Sequence, residues 1–199
     1  MTVVFTQSKL VGRVFQNPFA GTAQGMTIAE NIVISMRRGK SRRLGTAVTK
    51  SVRDEIADKV RTLKMGLEDR LDNPIGTLSG GQRQALTLLM ATWLRPKLLL
   101  FDEHTAALDP KSASKITQLT KDIVEREHLT ALMVTHSMQQ AVDLPDRIIM
   151  MHRGGVVEDF YGEQKTCVRV PDLMAAFDRI TKLELFDESV AVMLAHQYG

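Results

Sequence analysis

A serine followed by two glycines, directly before a helix-like segment, is the part of the sequence best suited to chemistry. The segment reads Leu78-Ser79-Gly80-Gly81-Gln82, and the helical pattern continues to Trp93. Glycines leave backbone N–H groups accessible, and the start of a helix carries a partial positive charge. The alternative is an ordinary glycine-rich turn that caps a helix. We expect the four residues after Leu78 to bind phosphate oxygens: Ser79, Gly80, Gly81 and Gln82.

A pair of carboxylates follows an apolar run that begins sixteen residues after Gln82. The run is Leu98 to Phe101, and Asp102 and Glu103 come directly after it. Mg²⁺ prefers carboxylate oxygens, and a carboxylate can also polarise water. Many buried strands end at an acidic turn, so the pair is weak evidence alone. Beside a phosphate-binding segment, it predicts that Asp102 holds Mg²⁺, usually through water, and that Glu103 polarises the water that attacks the γ-phosphate.

Three more polar residues stand beside predicted strands and turns. Asp109, before Pro110, can act both as a turn former that starts a helix and as a residue that contacts another subunit. A lone histidine is more often structural, but His136 follows an apolar run at the expected carboxyl edge of a sheet, where ligands of open α/β sheets bind, and this position favours a functional role. Gln16 is either a turn residue before Pro18 or a metal and water contact that senses a nucleotide.

Composition bounds the class of protein. The 199 residues are 44% hydrophobic and 25% charged, as in an ordinary globular protein of one or two compact units. A net charge of +3 is too small to indicate nucleic acid, and the basic run from Arg37 to Arg43 is interpreted as a solvated loop. The single cysteine, Cys167, excludes an internal disulfide and fits a reducing compartment. No apolar run is long enough to cross a bilayer, so we expect a soluble, cytoplasmic chain.

The spacing of apolar residues predicts strands that alternate with helices, which favours right-handed crossovers in a mostly parallel sheet. The predicted strands are edge strands at Thr2 to Phe5 and Val11 to Phe15, the strands Leu98 to Phe101 and Leu129 to Val134, and a hairpin of Arg147 to Met151 with Val156 to Phe160. The predicted helices are one capped by Thr27 with Glu30, one over Thr49 to Leu63, one over Pro110 to Arg126 and one near Met138 to Val142. Amphipathic helices are predicted after Pro171, with Leu173, Phe177 and Ile180 on a packing face and later apolar positions from Phe186 to Leu194.

From about Gly12 to Phe160, these motifs and their order resemble the ATP-binding subunits of ABC transporters. The matching motifs are Gln16 for the Q-loop, Leu78 to Gln82 for the signature motif, Leu98 to Asp102 for the Walker B strand, Glu103 for the catalytic carboxylate, Ala107 to Asp109 for the D-loop and His136 for the switch histidine.

The resemblance implies an α/β fold, an incomplete P-loop NTPase of RecA-like type whose mostly parallel sheet carries an inserted α-helical subdomain. It divides the chain into an ATPase core over 1–17 and 94–165, the helical subdomain over 18–93, and C-terminal amphipathic helices over 166–199. The implied cofactors are ATP and Mg²⁺. The implied site has Glu103 and His136 as catalytic residues, Asp102 and Gln16 at the metal, and Gln16, Ser79, Gly80, Gly81, Gln82 and Asp109 at the nucleotide.

The same resemblance implies partners. A second ATP-binding subunit would form a homodimer or heterodimer, in which each signature motif contacts the ATP held by the other subunit's P-loop. The helical subdomain would dock an integral membrane permease subunit, placing the chain on the inner face of the cell membrane, and a substrate-binding protein is a further expected partner. No nucleic acid partner is expected.

The sequence departs from the family pattern in two ways. His104 stands where proline is common and Ala106 where serine is frequent, a variant similar to amino-acid-type importers. No Gly-x-x-x-x-Gly-Lys segment followed by Ser or Thr is present, because the glycine required before Gly39-Lys40-Ser41 would fall on Ile34. We therefore expect an amino-terminally truncated chain without a P-loop, which binds MgATP poorly on its own.

Three functions are compatible with these features. The first is an ATP-binding, ATP-hydrolysing transporter subunit that is impaired in this chain. The second is a regulatory module that uses its signature motif on another subunit's nucleotide without hydrolysis. The third is an ABC ATPase of DNA repair or translation. The sequence has no long coiled-coil insertion, zinc-ligand cysteines or second ATPase half, which argues against the commonest proteins of this kind.

Overall fold

The computed structural model describes residues 9–39 and 48–180. The chain divides into two compact units, the first ending at Val134 and the second beginning at Thr135. None of the helices in these ranges is long and apolar enough to cross a membrane. The predicted strand at Thr2 to Phe5, most of the basic run before Arg43 and the apolar positions from Phe186 to Leu194 lie outside the described residues. The finer partition into core, helical subdomain and C-terminal helices stays a prediction.

The first unit contains a three-stranded sheet of β1 (Val11–Val14), β2 (Leu98–Asp102) and β3 (Ala131–Val134), in the order β1-β2-β3. Both pairings are parallel, as the sequence predicts. The strand β3 starts later than predicted because Leu129 donates its N–H to the Val124 carbonyl, in the turn that ends the preceding helix. Parallel strands bring their carboxyl ends to one edge, and Asp102 lies at that edge.

Three helices form the helical part of this unit: α1 (Ile28–Met36), α2 (Lys50–Arg61) and α3 (Gly80–Thr92). Thr27 and Glu30 form the predicted capping box at the start of α1, and Thr49 caps α2. Two short 3₁₀ turns, Glu68–Arg70 and Ile75–Thr77, precede α3. The apolar faces share one core, whose fully buried side chains include Ile28, Ile32, Ile56, Val60, Leu67 and Leu86.

The long helix α4 (Pro110–Arg126) joins the helical core to the sheet core. Ile116 lies in the helical core, whereas Ile123 packs with Leu99 and Phe101 of the sheet. Asp109 caps α4 and proline follows at the first helical position, where its missing N–H is no loss. The predicted bounds of this helix are confirmed.

The second unit contains α5 (Met138–Asp143), β4 (Arg147–His152), β5 (Gly155–Tyr161), α6 (Gly162–Cys167) and α7, a helix over 170–180. The strands β4 and β5 form the predicted antiparallel hairpin. The sequence did not predict α6, which is short and carries no buried residue. Leu173 of α7 is buried as expected, but the assignment of Phe177 to the packing face is wrong in part, because this ring is 48% exposed.

Candidate functional site

The serine and glycines singled out in the sequence form the first turn of α3. The Ser79 Oγ accepts a hydrogen bond of 3.3 Å from the Gln82 N–H, and the Ser79 N–H donates to the Gln82 Oε1 at 3.2 Å. This reciprocal capping box starts the helix at Gly80, two residues earlier than expected. The capping box therefore occupies the Gln82 N–H and one acceptor position of the Ser79 hydroxyl.

The remaining donors of this turn still suit an anion. Gly80 and Gly81 carry N–H groups of the first helical turn, which have no acceptor within the helix. The Ser79 hydroxyl accepts the capping bond and can still donate its own proton. Ser79 and Gly80 are exposed at the surface of the unit. The arrangement offers N–H and O–H donors at a positive helix end, as an anionic ligand from outside this unit requires.

Arg83 fixes the segment that leads into α3, and the sequence reasoning missed it. Its guanidinium donates to the carbonyls of Gly76 and Leu78 at 2.9 Å each, and to that of Ile75 at 3.3 Å. The guanidinium carbon also lies 3.7 Å from the centre of the Phe19 ring. The side chain is only 2% exposed, and burial lowers its pKa. Arg83 is the one charged residue in the sequence of α3, and this was the available signal.

Gln84 connects α3 to the segment that carries Gln16. Its side chain is fully buried, and its Nε2 donates to the Phe15 carbonyl at 3.1 Å. Its Oε1 has no hydrogen-bond partner within the described residues. Phe15 directly precedes Gln16, so one bond ties the signature helix to the start of the predicted Q-loop. The two residues are 69 positions apart, so no short sequence pattern predicts this contact.

Asp102, at the end of β2, contacts an arginine of the neighbouring strand. The Arg13 Nη2 donates to the Asp102 Oδ2 at 3.0 Å, and both side chains are about half exposed. The Arg13 guanidinium also lies over the Phe15 ring, 4.6 Å from its centre. The sequence reasoning did not find Arg13. Its charge faces the carboxylate that was predicted to hold the metal.

Glu103 occupies a sharp turn at the same edge. Its φ of 42° lies in the left-handed region, which non-glycine residues seldom adopt, and its N–H donates to the Val134 carbonyl at 2.9 Å. The Gln16 Nε2 donates to the Glu103 Oε2 at 3.3 Å. The structure therefore brings Gln16, Asp102 and Glu103 together at the carboxyl edge of the sheet. Backbone strain at such a position is typical of functional turns.

These three residues suit Mg²⁺ by the chemistry of their donors. Carboxylate and amide oxygens are hard ligands, and Mg²⁺ is usually held by one or two carboxylates while phosphates and water complete its shell. Across residues 9–39 and 48–180, no group of three or more His, Cys, Asp or Glu side chains could hold a metal ion by itself.

His104 anchors the turn that follows Glu103. Its ring is 1% exposed, lies 4.6 Å from the Phe101 ring, and places Nε2 3.1 Å from the Thr120 Oγ. Since Thr120 donates its only hydroxyl proton to the Ile116 carbonyl, the His104 Nε2 carries the hydrogen of this bond. Burial lowers the pKa of His104 to about 4, so the ring is neutral at pH 7.

The other two predicted residues lie apart from this cluster in sequence. Asp109 is exposed, and its pKa is lowered by hydrogen bonds from the Ser112 hydroxyl and backbone N–H, the latter at 3.0 Å. His136 is an exposed residue of the second unit, two positions after β3 ends. The structure thus assigns Asp109 a capping role that the sequence predicted, while its contact with another subunit and the catalytic role of His136 stay predictions.

Comparison with known proteins supports the interpretation of these motifs. A family model described as ABC transporter matches residues 5–106. A tyrosine transport ATP-binding protein of Clostridioides difficile is 37% identical over 174 residues, which cover 87% of this chain. A phosphate import ATP-binding protein, PstB, of Aeropyrum pernix is 39% identical over 168 residues, or 82% of this chain, and a methionine import ATP-binding protein, MetN, of Streptococcus mutans is 35% identical over 149 residues, or 75%.

The matches cover different shares of these relatives. The chain spans 69% of the tyrosine transport protein, 62% of the Aeropyrum protein and 39% of the Streptococcus protein. The motifs at the sheet edge and the first turn of α3 lie within the matched family segment up to residue 106.

Proposed function

The chain belongs to the ABC transporter family, and we propose that it is the ATP-binding subunit of an importer whose signature motif completes an ATP site on a second subunit. The observation that carries this proposal is the first turn of α3, where Ser79 and Gly80 are exposed and offer O–H and N–H donors at the start of the helix. The names of the curated relatives support import, because they are transport or import ATP-binding proteins.

Each residue at the sheet edge would have a separate task when a phosphate cradle presents ATP to this edge. Asp102 and Gln16 would hold Mg²⁺ through their oxygens, and the Gln16 bond to Glu103 keeps the amide beside the carboxylate. Glu103 would accept a proton from the attacking water, and His136 would contact the γ-phosphate. Bound Mg²⁺ would neutralise charge on the phosphates. The Arg13 contact orients Asp102 at the end of β2.

The function of the chain depends on which subunit supplies the phosphate cradle, the N–H groups and lysine that bind the phosphates of ATP. The sequence has no Gly-x-x-x-x-Gly-Lys segment, which is the usual nest of N–H groups and lysine for the β- and γ-phosphates. We infer that the 199-residue chain binds MgATP weakly alone, and that its signature motif acts on ATP held by the P-loop of a second ATP-binding subunit. A membrane permease and a substrate-binding protein complete the proposed importer.

A mixing experiment tests this function. The partner is an intact ATP-binding subunit of a related importer whose own signature serine is replaced, so that its homodimers lack a working signature. Addition of the 199-residue chain is expected to raise ATP hydrolysis at least tenfold, because only the mixed pair combines a P-loop with a working signature. Ser79→Ala is expected to reduce this stimulation several-fold and Gly80→Asp to remove it, since an added carboxylate repels the phosphates.

The controls separate a specific effect from misfolding. Lys121→Ala changes an exposed residue of α4 and is expected to stimulate like the original chain. All variants are compared by circular dichroism and thermal unfolding before mixing. Failure of the chain to stimulate the partner would contradict the proposal. So would hydrolysis by the chain alone that Glu103→Gln abolishes, because that result requires a phosphate cradle within this chain.

A second candidate is the regulatory module that binds the partner's nucleotide without hydrolysis. The exposed residues of the first turn of α3, Ser79 and Gly80, would serve this candidate as well. This candidate predicts that the chain lengthens the residence time of a fluorescent ATP analogue on the partner while hydrolysis stays at the background rate. Measuring nucleotide release and phosphate production in the same mixture distinguishes the two functions.

A further inference from the structure

The second glycine of the signature segment packs against the first turn of another helix. A Cβ built on Gly81 would lie 3.0 Å from both the Cβ and the Oγ of Ser112, closer than ordinary van der Waals contact. Gly81 is buried, and Ser112 stands in the first turn of α4. The Ser112 Cβ is fixed by its backbone, so rotation of the hydroxyl alone cannot relieve such a contact.

Ser112 also holds the carboxylate of Asp109. Its backbone N–H donates to the Asp109 Oδ1 at 3.0 Å, and its hydroxyl makes a second hydrogen bond to the same carboxylate. One small side chain thus touches the start of α3 on one side and binds the last residue of the D-loop on the other. Gly81 belongs to the segment that the proposed function directs at a second subunit, and Asp109 belongs to the D-loop, which is predicted to contact that subunit.

We propose that Ser112 is a positioning residue that holds the signature turn and Asp109 in one fixed arrangement, so that both reach the second subunit's nucleotide site together. The effect on the second subunit's site rests on the proposed function, whereas the contact between Gly81 and Ser112 does not. A residue larger than serine at this position would push α3 away from α4. A residue without the hydroxyl would keep the spacing and lose one bond to Asp109.

The neighbouring glycine makes a weaker contact of the same kind. A Cβ on Gly80 would lie 3.3 Å from the Leu108 Cδ2, which is the end of a flexible side chain and can move aside. Gly81 therefore carries the stricter requirement. This difference predicts unequal effects for the same substitution at adjacent positions.

A double-mutant cycle measures the contact without any assay of function. Gly81→Ala is expected to lower the thermal midpoint of the 199-residue chain by about 3–6 °C. Ser112→Gly removes both contacting atoms, so Gly81→Ala in that background is expected to be neutral or to raise the midpoint, because alanine favours helix over glycine. Gly80→Ala should cost less than Gly81→Ala. Gly25→Ala is the matched control, since no described atom lies within 4 Å of its added Cβ.

The second readout is the stimulation of the partner subunit described above. Ser112→Ala keeps the spacing and is expected to reduce stimulation about threefold or less, whereas Ser112→Leu should reduce it at least tenfold. Ser112→Gly should restore part of the stimulation that Gly81→Ala removes. Equal loss of stability from Gly81→Ala with either serine or glycine at position 112 would overturn the contact. Normal stimulation by Ser112→Leu would overturn the positioning role. If the unsubstituted chain itself does not stimulate the partner subunit, the result contradicts the proposed function instead.

Discussion

Acidification from pH 7.5 to 4.5 is expected to lower the free energy of unfolding by roughly 2–3 kcal/mol through His104 alone. The pKa of this buried ring is lowered to about 4 in the folded chain, whereas an unfolded histidine titrates near 6.5. Between these values the unfolded state binds more protons than the folded state, so stability falls as the pH falls. Above about pH 6.5 the ring is mostly neutral in both states, so little of this stability is lost.

Urea unfolding at the two pH values measures this effect. His104→Pro, which introduces the residue common at this position in the family, and His104→Gln are both expected to reduce the difference between pH 7.5 and 4.5 by roughly 2–3 kcal/mol. His128→Gln replaces an exposed histidine at the end of α4 and leaves His104 in place, so it should keep the original difference. An unchanged pH dependence in both His104 variants would show that the ring is accessible to protonation in the folded state.

Local hydrogen bonds explain which parts of the fold the sequence predicted well. The Thr27 and Glu30 capping box and the Asp109-Pro110 start of α4 depend on residues within three positions of each other. Apolar spacing predicted the strands and the core faces for the same reason, because the residues of each face come from one continuous segment. The end of β2 was also predictable, since Asp102 and Glu103 follow its apolar residues directly.

The parts that the sequence did not predict depend on distant partners. Arg13 meets Asp102 across 89 positions, and Gln84 meets the Phe15 carbonyl across 69. The approach of Ser112 to Gly81 requires the packing of two helices, which no motif records. A motif therefore identified the chemical groups of the candidate site, whereas tertiary packing determined which residues hold them in place.

Arg83→Met is expected to lower the free energy of unfolding by about 3 kcal/mol or more. Methionine retains much of the buried stem, but the carbonyls of Gly76 and Leu78 lose the guanidinium donor, and that of Ile75 loses one of its two donors. An unsatisfied buried carbonyl costs about 1–3 kcal/mol. The contact with the Phe19 ring is lost as well.

The same substitution should loosen the approach to the signature turn before the chain unfolds as a whole. Hydrogen exchange of the amides from Ile75 to Ser79 is expected to accelerate in Arg83→Met, and Arg83→Lys should rescue little, because an ammonium cannot reach three carbonyls with fixed planar geometry. Arg61→Met is the matched control: its ion pair with Asp58 is exposed, so its loss should cost less than about 1 kcal/mol. If Arg83→Met costs no more than this control, the buried guanidinium does not organise the segment, and the signature turn must take its shape from the capping box and the Gly81 contact alone.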